Sequence, residues 1–206
     1  MPNLSDALAS AIATLKTARI AEAPTDARIL IAAALGLDRI ALLTAGERAL
    51  SADETARIHA AIARRAQHEP VARILGRREF WGLDFGLNTA TLVPRPDSET
   101  LIEAALAVLS DKQAALRILD LGTGSGCLLL ALLHEFPNAT GLGVDCAPDA
   151  VKQATANAAT LGMAARAMFK VADWNTEEFM RAVAPPYDLI ISNPPYIPSK
   201  VIPTLD

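Results

Sequence analysis

The spacing of apolar residues along the chain changes near residue 73. Before that point, apolar side chains recur every three or four positions, for example at Leu4, Leu8 and Ile12, and this spacing is typical of amphipathic helices. Proline and glycine residues separate the successive apolar stripes and mark helix ends. We therefore predict that residues 1–72 form a small helical bundle, whose sequence shows no pattern of reactive side chains.

A short stretch with strand character follows the bundle. From Glu79 to Leu87, aromatic residues and glycines alternate, which predicts a β-hairpin or a bulged pair of strands. After it, Pro94 and Pro96 each push the preceding residue into extended backbone, so this part cannot be helical. We predict that residues 73–95 are a β-hairpin linker between the bundle and the rest of the chain.

From residue 96 onward, short apolar runs alternate with helical patterns. Four runs have the length and composition of buried strands, at residues 116–120, 139–145, 167–171 and 187–192. Strands that alternate with helices form a parallel sheet with helices on both faces. The predicted fold class is α/β, and residues 96–206 are predicted to form the domain that contains the sheet.

Composition and charge narrow the possible function classes. The chain of 206 residues is 51% hydrophobic, which excludes a disordered protein, and its net charge of −4 does not indicate a basic surface for nucleic acid. The sequence has no apolar run of about 18 residues and no signal peptide, so we expect a cytoplasmic protein without a membrane segment. Cys127 and Cys146 form no CxxC pair and the histidines are scattered, so neither a disulfide nor a metal site is predicted.

A glycine-rich turn follows the first predicted strand. The sequence from Asp120 to Gly126 reads Asp-Leu-Gly-Thr-Gly-Ser-Gly, and its glycines permit positive φ and let a ligand approach the backbone. The nicotinamide-binding fingerprint is GxGxxG, whereas the spacing here is GxGxG. Asp120 would repel a pyrophosphate and attract a cationic amine, so the turn favours a ligand with an ammonium group. A tight turn that binds no ligand is the alternative.

Acidic and aromatic residues stand at the ends of the next two predicted strands. Asp145 ends the second strand, where a carboxylate can accept hydrogen bonds from both hydroxyls of a ribose. Its alternative role is to cap the helix that begins near Pro148. Asp173 and Trp174 follow the third strand, where they could hold adenine by a hydrogen bond and by stacking. Taken alone, Trp174 would suit core packing equally well.

The fourth predicted strand ends in Asn193, Pro194, Pro195 and Tyr196. The two prolines fix the backbone and lack an N–H group, which leaves bare carbonyl groups. Asn193 adds a side-chain carbonyl, and two acceptors that converge on one point suit a planar –NH₂ group on which Tyr196 can stack. The motif could therefore hold the planar –NH₂ group of a ligand. A rigid proline turn with a capping asparagine is the alternative.

These two segments together resemble a known class of enzymes. Asp120–Gly126 and Asn193–Tyr196 resemble the S-adenosylmethionine-dependent methyltransferases that modify planar nitrogens. Residues 69–76 (Glu-Pro-Val-Ala-Arg-Ile-Leu-Gly), 79–82 (Glu-Phe-Trp-Gly) and 93–99 (Val-Pro-Arg-Pro-Asp-Ser-Glu) are similar to the peptide chain release factor N(5)-glutamine methyltransferases. The ribosomal-protein glutamine methyltransferases share Asn-Pro-Pro-Tyr but tend to differ at the Pro-Arg-Pro stretch. The resemblance spans nearly the whole chain.

The resemblance implies a Rossmann-like sheet of the class I methyltransferase type, preceded by a helical domain that docks a class I peptide chain release factor. It implies S-adenosyl-L-methionine as cofactor and the glutamine of a Gly-Gly-Gln motif as substrate. The residues it implies at the cofactor are Gly122, Thr123, Gly124, Ser125, Gly126, Asp145, Trp174 and Asn193. The residues it implies at the substrate glutamine are Asn193, Pro194, Pro195 and Tyr196, of which we expect Asn193 and Pro194 to act in catalysis. We expect a monomeric protein-(glutamine-N5) methyltransferase of translation termination that makes no direct contact with nucleic acid.

The chain departs from the family pattern in two places. Arg73 stands where family members often carry an aromatic residue. The family's sheet has seven strands and four are predicted here, so we expect the C-terminal strands to lie beyond Asp206. The predicted cofactor and substrate residues all lie within the sequence.

The expected reaction depends mainly on placement. An amide nitrogen is a poor nucleophile and a sulfonium is a strong electrophile, so the enzyme must hold nitrogen, methyl carbon and sulfur in line. The carbonyl groups of Asn193 and Pro194 would bind the amide hydrogens, and no dedicated base is predicted. Three alternatives remain: methylation of exocyclic amines of nucleic-acid bases, methylation of a ribosomal-protein glutamine, and cofactor binding without activity.

Overall fold

The computed structural model describes residues 2–176, 179–183 and 186–194. The chain forms two compact units, Met1–Gly76 and Arg77–Asp206. The predicted substrate residues Pro195 and Tyr196 lie outside the described residues.

The first unit is helical, as the apolar spacing predicts. Its helices are α1 (Leu4–Thr17), α2 (Ala23–Leu35), α3 (Arg39–Thr44), α4 (Ala52–Ala66) and α5 (Val71–Leu75). Helix α4 begins with a capping box, because the Ser51 hydroxyl accepts from the Glu54 amide and the Glu54 carboxylate accepts from the Ser51 amide. The core contains Leu15, Leu30 and Ile58, all fully buried. Apolar burial between helices therefore holds this unit together.

The boundary between the units falls a few residues later than the sequence indicates. The apolar spacing predicts a bundle that ends at residue 72, whereas the first compact unit extends to Gly76. Residues 71–75 form the short helix α5, and Val71 and Leu75 pack against the buried core of the bundle. The helix ends at Gly76, which adopts a left-handed conformation with φ of 67°. The hairpin belongs to the second unit.

The predicted hairpin consists of β1 (Arg77–Phe80) and β2 (Leu83–Gly86), which pair antiparallel. Trp81 and Gly82 form its two-residue turn, with φ of 54° and 72°. Positive φ at both turn residues matches the right-handed twist of the strands, so the turn closes a regular hairpin without a bulge. On the inner face the buried rings of Phe80 and Phe85 meet edge to face, with centroids 6.4 Å apart.

The second unit contains a parallel sheet, which confirms the predicted α/β class. Its strands are β3 (Arg117–Leu121), β4 (Thr140–Asp145), β5 (Ala167–Val171) and β6 (Leu189–Ser192), in the spatial order β5-β4-β3-β6. A 3₁₀ turn over Pro96–Ser98 leads into α6 (Glu99–Val108), and the other helices are α7 (Cys127–Glu135), α8 (Pro148–Thr160) and α9 (Phe179–Ala182). All described pairs in this sheet are parallel, so the carboxyl ends of its strands lie along one edge.

Helix α7 lies at the centre of the core in the second unit. Leu128, Leu129, Leu130, Ala131, Leu132 and Leu133 are all buried, so the helix is covered on every side. A helix that is apolar all round is typical of a central position. The guanidinium of Arg166 donates to the backbone carbonyls of Leu133, Phe136 and Ala139, which satisfies acceptors at the end of this helix and just beyond it. This packing fixes the helix that follows the glycine turn.

Within the described ranges, no helix combines the length and the apolar character needed to cross a membrane. In the same part of the chain, no three His, Cys, Asp or Glu side chains are grouped so that they could hold a metal ion. Both cysteines are free thiols.

Candidate functional site

The glycine turn joins the end of β3 to the start of α7. Gly122, Gly124 and Gly126 all have positive φ, at 72°, 54° and 81°. A side chain at Gly126 would also be crowded, because a Cβ there would lie 3.2 Å from both Ala154 and Phe169. A Cβ on Gly124 would have no neighbour within 4 Å. The turn therefore packs tightly against the protein at Gly126 and leaves open space beside Gly124.

The glycine turn is tied to the neighbouring strand β4 by its backbone. The amides of Gly122 and Thr123 both donate to the carbonyl of Val144, each at 2.9 Å. The Asp145 carboxylate accepts from the Gly124 amide at 2.9 Å and from the Ala147 amide at 3.0 Å. These bonds hold the turn against the end of β4, next to the residue predicted to bind a ribose.

Asp145 thus supports the local backbone at two points. Its bond to the Ala147 amide closes the short turn before α8, whose N-cap is Ala147, so Asp145 holds this turn and is not itself the helix cap. Each carboxylate oxygen has two acceptor positions, and each uses one of them in these two bonds. These two backbone bonds and ribose binding are therefore compatible, and the ribose contact stays a prediction.

Asp120 is a buried carboxylate directly below the glycine turn. The Thr123 hydroxyl donates to its Oδ2 at 2.7 Å, while Oδ1 makes no hydrogen bond with the described residues. Burial raises the pKa of Asp120 to about 6, although the hydroxyl of Thr123 acts in the opposite direction. A buried carboxylate with one unpaired oxygen is costly unless a partner neutralises it. The site therefore suits a cationic group, which fits the amine of the expected cofactor.

Trp174 lies beside the glycine turn at the end of β5. A Cβ on Gly122 would lie 3.6 Å from the Trp174 ring, at ordinary contact distance, so the ring and the turn are close neighbours. Trp174 is 47% exposed, which does not agree with the alternative that it is a core residue. The carboxylate of Asp173 accepts from the Asn175 amide at 2.9 Å within its own turn. The adenine contact of Trp174 stays a prediction.

Asn193 and Pro194 follow β6, the strand that pairs with β3. The Ser192 hydroxyl donates to the Leu121 carbonyl at 2.8 Å, which places the start of the motif beside the glycine turn. Asn193 is half-buried, and its Nδ2 donates to the Ser98 hydroxyl at 2.6 Å. Pro194 is exposed. The fold therefore brings the predicted catalytic residues to the edge of the sheet that carries the predicted cofactor residues.

Sequence reasoning missed two residues that organise this edge. Ser98 lies in a stretch that resembles the family, but the sequence does not indicate that its side chain contacts Asn193. Asn157 of α8 is 4% exposed and donates to the carbonyls of Gly86 and Ser125 at 3.0 and 2.8 Å. The one available signal was that Asn157 is a polar residue in a helical stripe otherwise made of alanines. Its long-range partners could not be read from that stripe.

Comparisons with known proteins agree with this architecture. A family model described as the PrmC N-terminal domain matches residues 6–76, and one described as a methyltransferase domain matches residues 112–203. The methyltransferase domain of METTL16 has a TM-score of 0.50 at 20% identity, over 61% of this chain and 58% of that one. At this identity the likeness concerns the fold alone.

Relatives from several bacteria carry the name release factor glutamine methyltransferase. The one from Bradyrhizobium diazoefficiens is 51% identical over 195 residues, which are 94% of this chain and 64% of the relative. The one from Agrobacterium fabrum is 42% identical over 206 residues, which are 98% of this chain and 70% of the relative. The chain thus spans less than two thirds of the first relative's length. With this identity over nearly all of its residues, the chain belongs to the release factor glutamine methyltransferase family.

Proposed function

We propose that this chain transfers a methyl group from S-adenosyl-L-methionine to the side-chain amide nitrogen of the glutamine in the Gly-Gly-Gln motif of peptide chain release factors. The observation that carries the proposal is the position of Asn193 and Pro194, which follow β6 beside the glycine turn of β3. The hydrogen-bond acceptors of Asn193 and Pro194 therefore lie at the same edge of the sheet as the glycine turn and the buried carboxylate of Asp120. The names of the relatives support a release factor glutamine as the target, and the Gly-Gly-Gln motif is what the family resemblance implies.

The cofactor side of the proposal rests on Asp120, Asp145 and the glycine turn. When bound, S-adenosylmethionine supplies a methyl group on a positively charged sulfur. One buried carboxylate oxygen of Asp120 has no hydrogen-bond partner among the residues that the structure describes, and we assign it to the cationic amine. The open space beside Gly124 admits a ligand against the backbone. Asp145 can accept hydrogen bonds from the ribose hydroxyls and still hold the glycine turn.

The substrate side requires acceptors rather than a strong base. The side-chain carbonyl of Asn193 and the backbone carbonyl of Pro194 can each accept one hydrogen of the substrate amide. Holding both hydrogens increases electron density on nitrogen and stabilises the positive charge that develops there. The proton can leave to water once the new bond has formed. Pro195 and Tyr196 are proposed to complete this substrate site.

The ribose assignment predicts a specific loss in Asp145→Ala. Cofactor affinity should fall by roughly 1–3 kcal/mol, the usual cost of removing charge-assisted hydrogen bonds. Isothermal titration on the folded variant measures the effect, and Asp149→Ala, which removes an exposed carboxylate from the first turn of α8, is the matched control. An analogue without ribose hydroxyls should lose much less affinity from Asp145→Ala. Equal losses for both ligands would mean that Asp145 only supports the turn.

We propose that the helical unit recognises the protein substrate. The residues assigned to the cofactor and the substrate all lie after residue 76, and the match to the PrmC N-terminal domain ends at that residue. A docking role would make this unit necessary for efficient use of an intact release factor but not for cofactor binding.

Methylation assays test both parts of the proposal. The purified protein should add one methyl group to a release factor with an intact Gly-Gly-Gln motif and none to a variant in which that glutamine is replaced by alanine. Mass spectrometry of the motif peptide identifies the modified atom. Removing residues 1–76 should raise KM for the release factor and leave the cofactor Kd unchanged. Methylation of a nucleic acid or a ribosomal protein instead would reject the proposed substrate.

A further inference from the structure

Ser98 contacts Asn193 across a long stretch of sequence. It is the last residue of the 3₁₀ turn Pro96–Ser98 and is 7% exposed. Its hydroxyl accepts a hydrogen bond from Nδ2 of Asn193 at 2.6 Å, although the two residues are 95 positions apart. A buried polar contact at this separation is formed only in the folded chain.

The segment that carries Ser98 is itself held in place. The Ser98 amide donates to the Arg95 carbonyl at 3.0 Å, which closes the 3₁₀ turn. The next residue, Glu99, accepts from the Trp81 amide in the hairpin turn at 3.0 Å. The backbone that carries the Ser98 hydroxyl is therefore held by the 3₁₀ turn and by a hydrogen bond to the hairpin.

This support matters because an asparagine amide has little torsional preference of its own. The last side-chain torsion of asparagine is broad, so its neighbours decide the plane of the amide. A bond from Nδ2 to a fixed oxygen sets that plane and the direction of the carbonyl at the other end of the amide. Catalysis by placement depends on such directions, and an error of about 1 Å can cost up to about 10²-fold in rate.

We propose that Ser98 is a positioning residue for methyl transfer: its hydroxyl orients the side-chain amide of Asn193 toward the substrate nitrogen. The inference rests on the proposed function, since it needs Asn193 to bind the substrate amide. Ser98 contacts neither substrate nor cofactor in this assignment and acts only through Asn193.

Single-turnover kinetics of release-factor methylation with the purified protein test the inference. Ser98→Ala should lower the rate by about 10- to 100-fold with an unchanged cofactor Kd. Ser98→Cys keeps the volume but offers only a weak acceptor, so it should show the same loss without a packing defect. Ser98→Thr retains the hydroxyl and should restore most of the rate. Thr100→Ala removes an exposed hydroxyl two residues away and is the matched control.

A double-mutant cycle with Asn193→Ala decides whether Ser98 acts through Asn193. Ser98→Ala should cause no further rate loss in the Asn193→Ala background. The urea unfolding midpoint of the double variant should likewise shift by less than the sum of the two single shifts. Independent rate losses in an active parent would overturn the role of Ser98 while leaving the proposed function intact. A parent protein that methylates no release factor would reject the proposed function and this inference together.

Discussion

Asn193→Ala is expected to lower the single-turnover rate of methyl transfer by about 10²–10³, the usual cost of removing one acceptor that acts in the transition state. Pro194 would keep its backbone carbonyl, so one of the two proposed acceptors remains. The family resemblance also places Asn193 at the cofactor, and some loss of cofactor affinity should follow as the smaller effect. Paired measurements of cofactor Kd and rate separate the two contributions.

Asn193→Asp gives a sharper test of the same assignment. The variant keeps the size and one acceptor, and the Ser98 hydroxyl can donate to the new carboxylate where it accepted from Nδ2. A negative charge near the cofactor's sulfonium should tighten cofactor binding yet lower the rate, because methyl transfer removes the positive charge from sulfur. A normal rate in Asn193→Ala, or a Kd change that explains the whole defect, would show that Asn193 does not orient the substrate.

Asn157→Ala is expected to have the largest effect on stability. The side chain accepts from the Gly86 amide at 2.9 Å and donates to the carbonyls of Gly86 and Ser125. Alanine would leave these backbone groups without their partner, at a cost of about 2–4 kcal/mol in the free energy of unfolding. Because Ser125 belongs to the glycine turn, cofactor affinity should fall as well. Urea denaturation and isothermal titration measure the two effects.

Two further variants on α8 control this experiment. Thr160→Ala removes an exposed hydroxyl from the same helix and should change the stability by less than about 0.5 kcal/mol. Asn157→Asp keeps the shape but replaces the donor by a carboxylate oxygen beside the two carbonyl groups. It should destabilise the protein at least as much as alanine does. An unfolding midpoint equal to that of Thr160→Ala would contradict the anchoring role of Asn157.

The local pattern of apolar, aromatic and glycine residues was sufficient to predict the strands of the sheet and the residues that follow them. The predicted strand at 167–171 coincides with β5, and the hairpin appears where aromatic residues and glycines alternate. Both predictions depend only on residues that are close together in the sequence, so the spacing of neighbouring residues is enough to make them. The boundary at residue 76 was less visible, because the short helix α5 has too few residues to show a period and is held by packing onto the bundle.

The contacts of Ser98 and Asn157 could not be predicted in the same way. Ser98 pairs with a residue 95 positions away, and Asn157 pairs with Gly86 at a separation of 71. Such pairs depend on how strands and helices are arranged in space, which no local window contains. Asp145 is an intermediate case: its position after a strand could be predicted, whereas its bond to the Gly124 amide, 21 residues away, could not.

The order of the strands has a consequence for synthesis on the ribosome. Strand β3 can pair with β4 soon after both have been synthesised. Its other edge pairs with β6, which is synthesised much later: Ser192 donates to the Leu121 carbonyl across 71 residues. Chains fold from the N-terminus as they emerge, and contacts with long sequence separation form late. The glycine turn, Asp145 and Trp174 are therefore synthesised before Asn193, and the site becomes complete only when β6 has paired with β3.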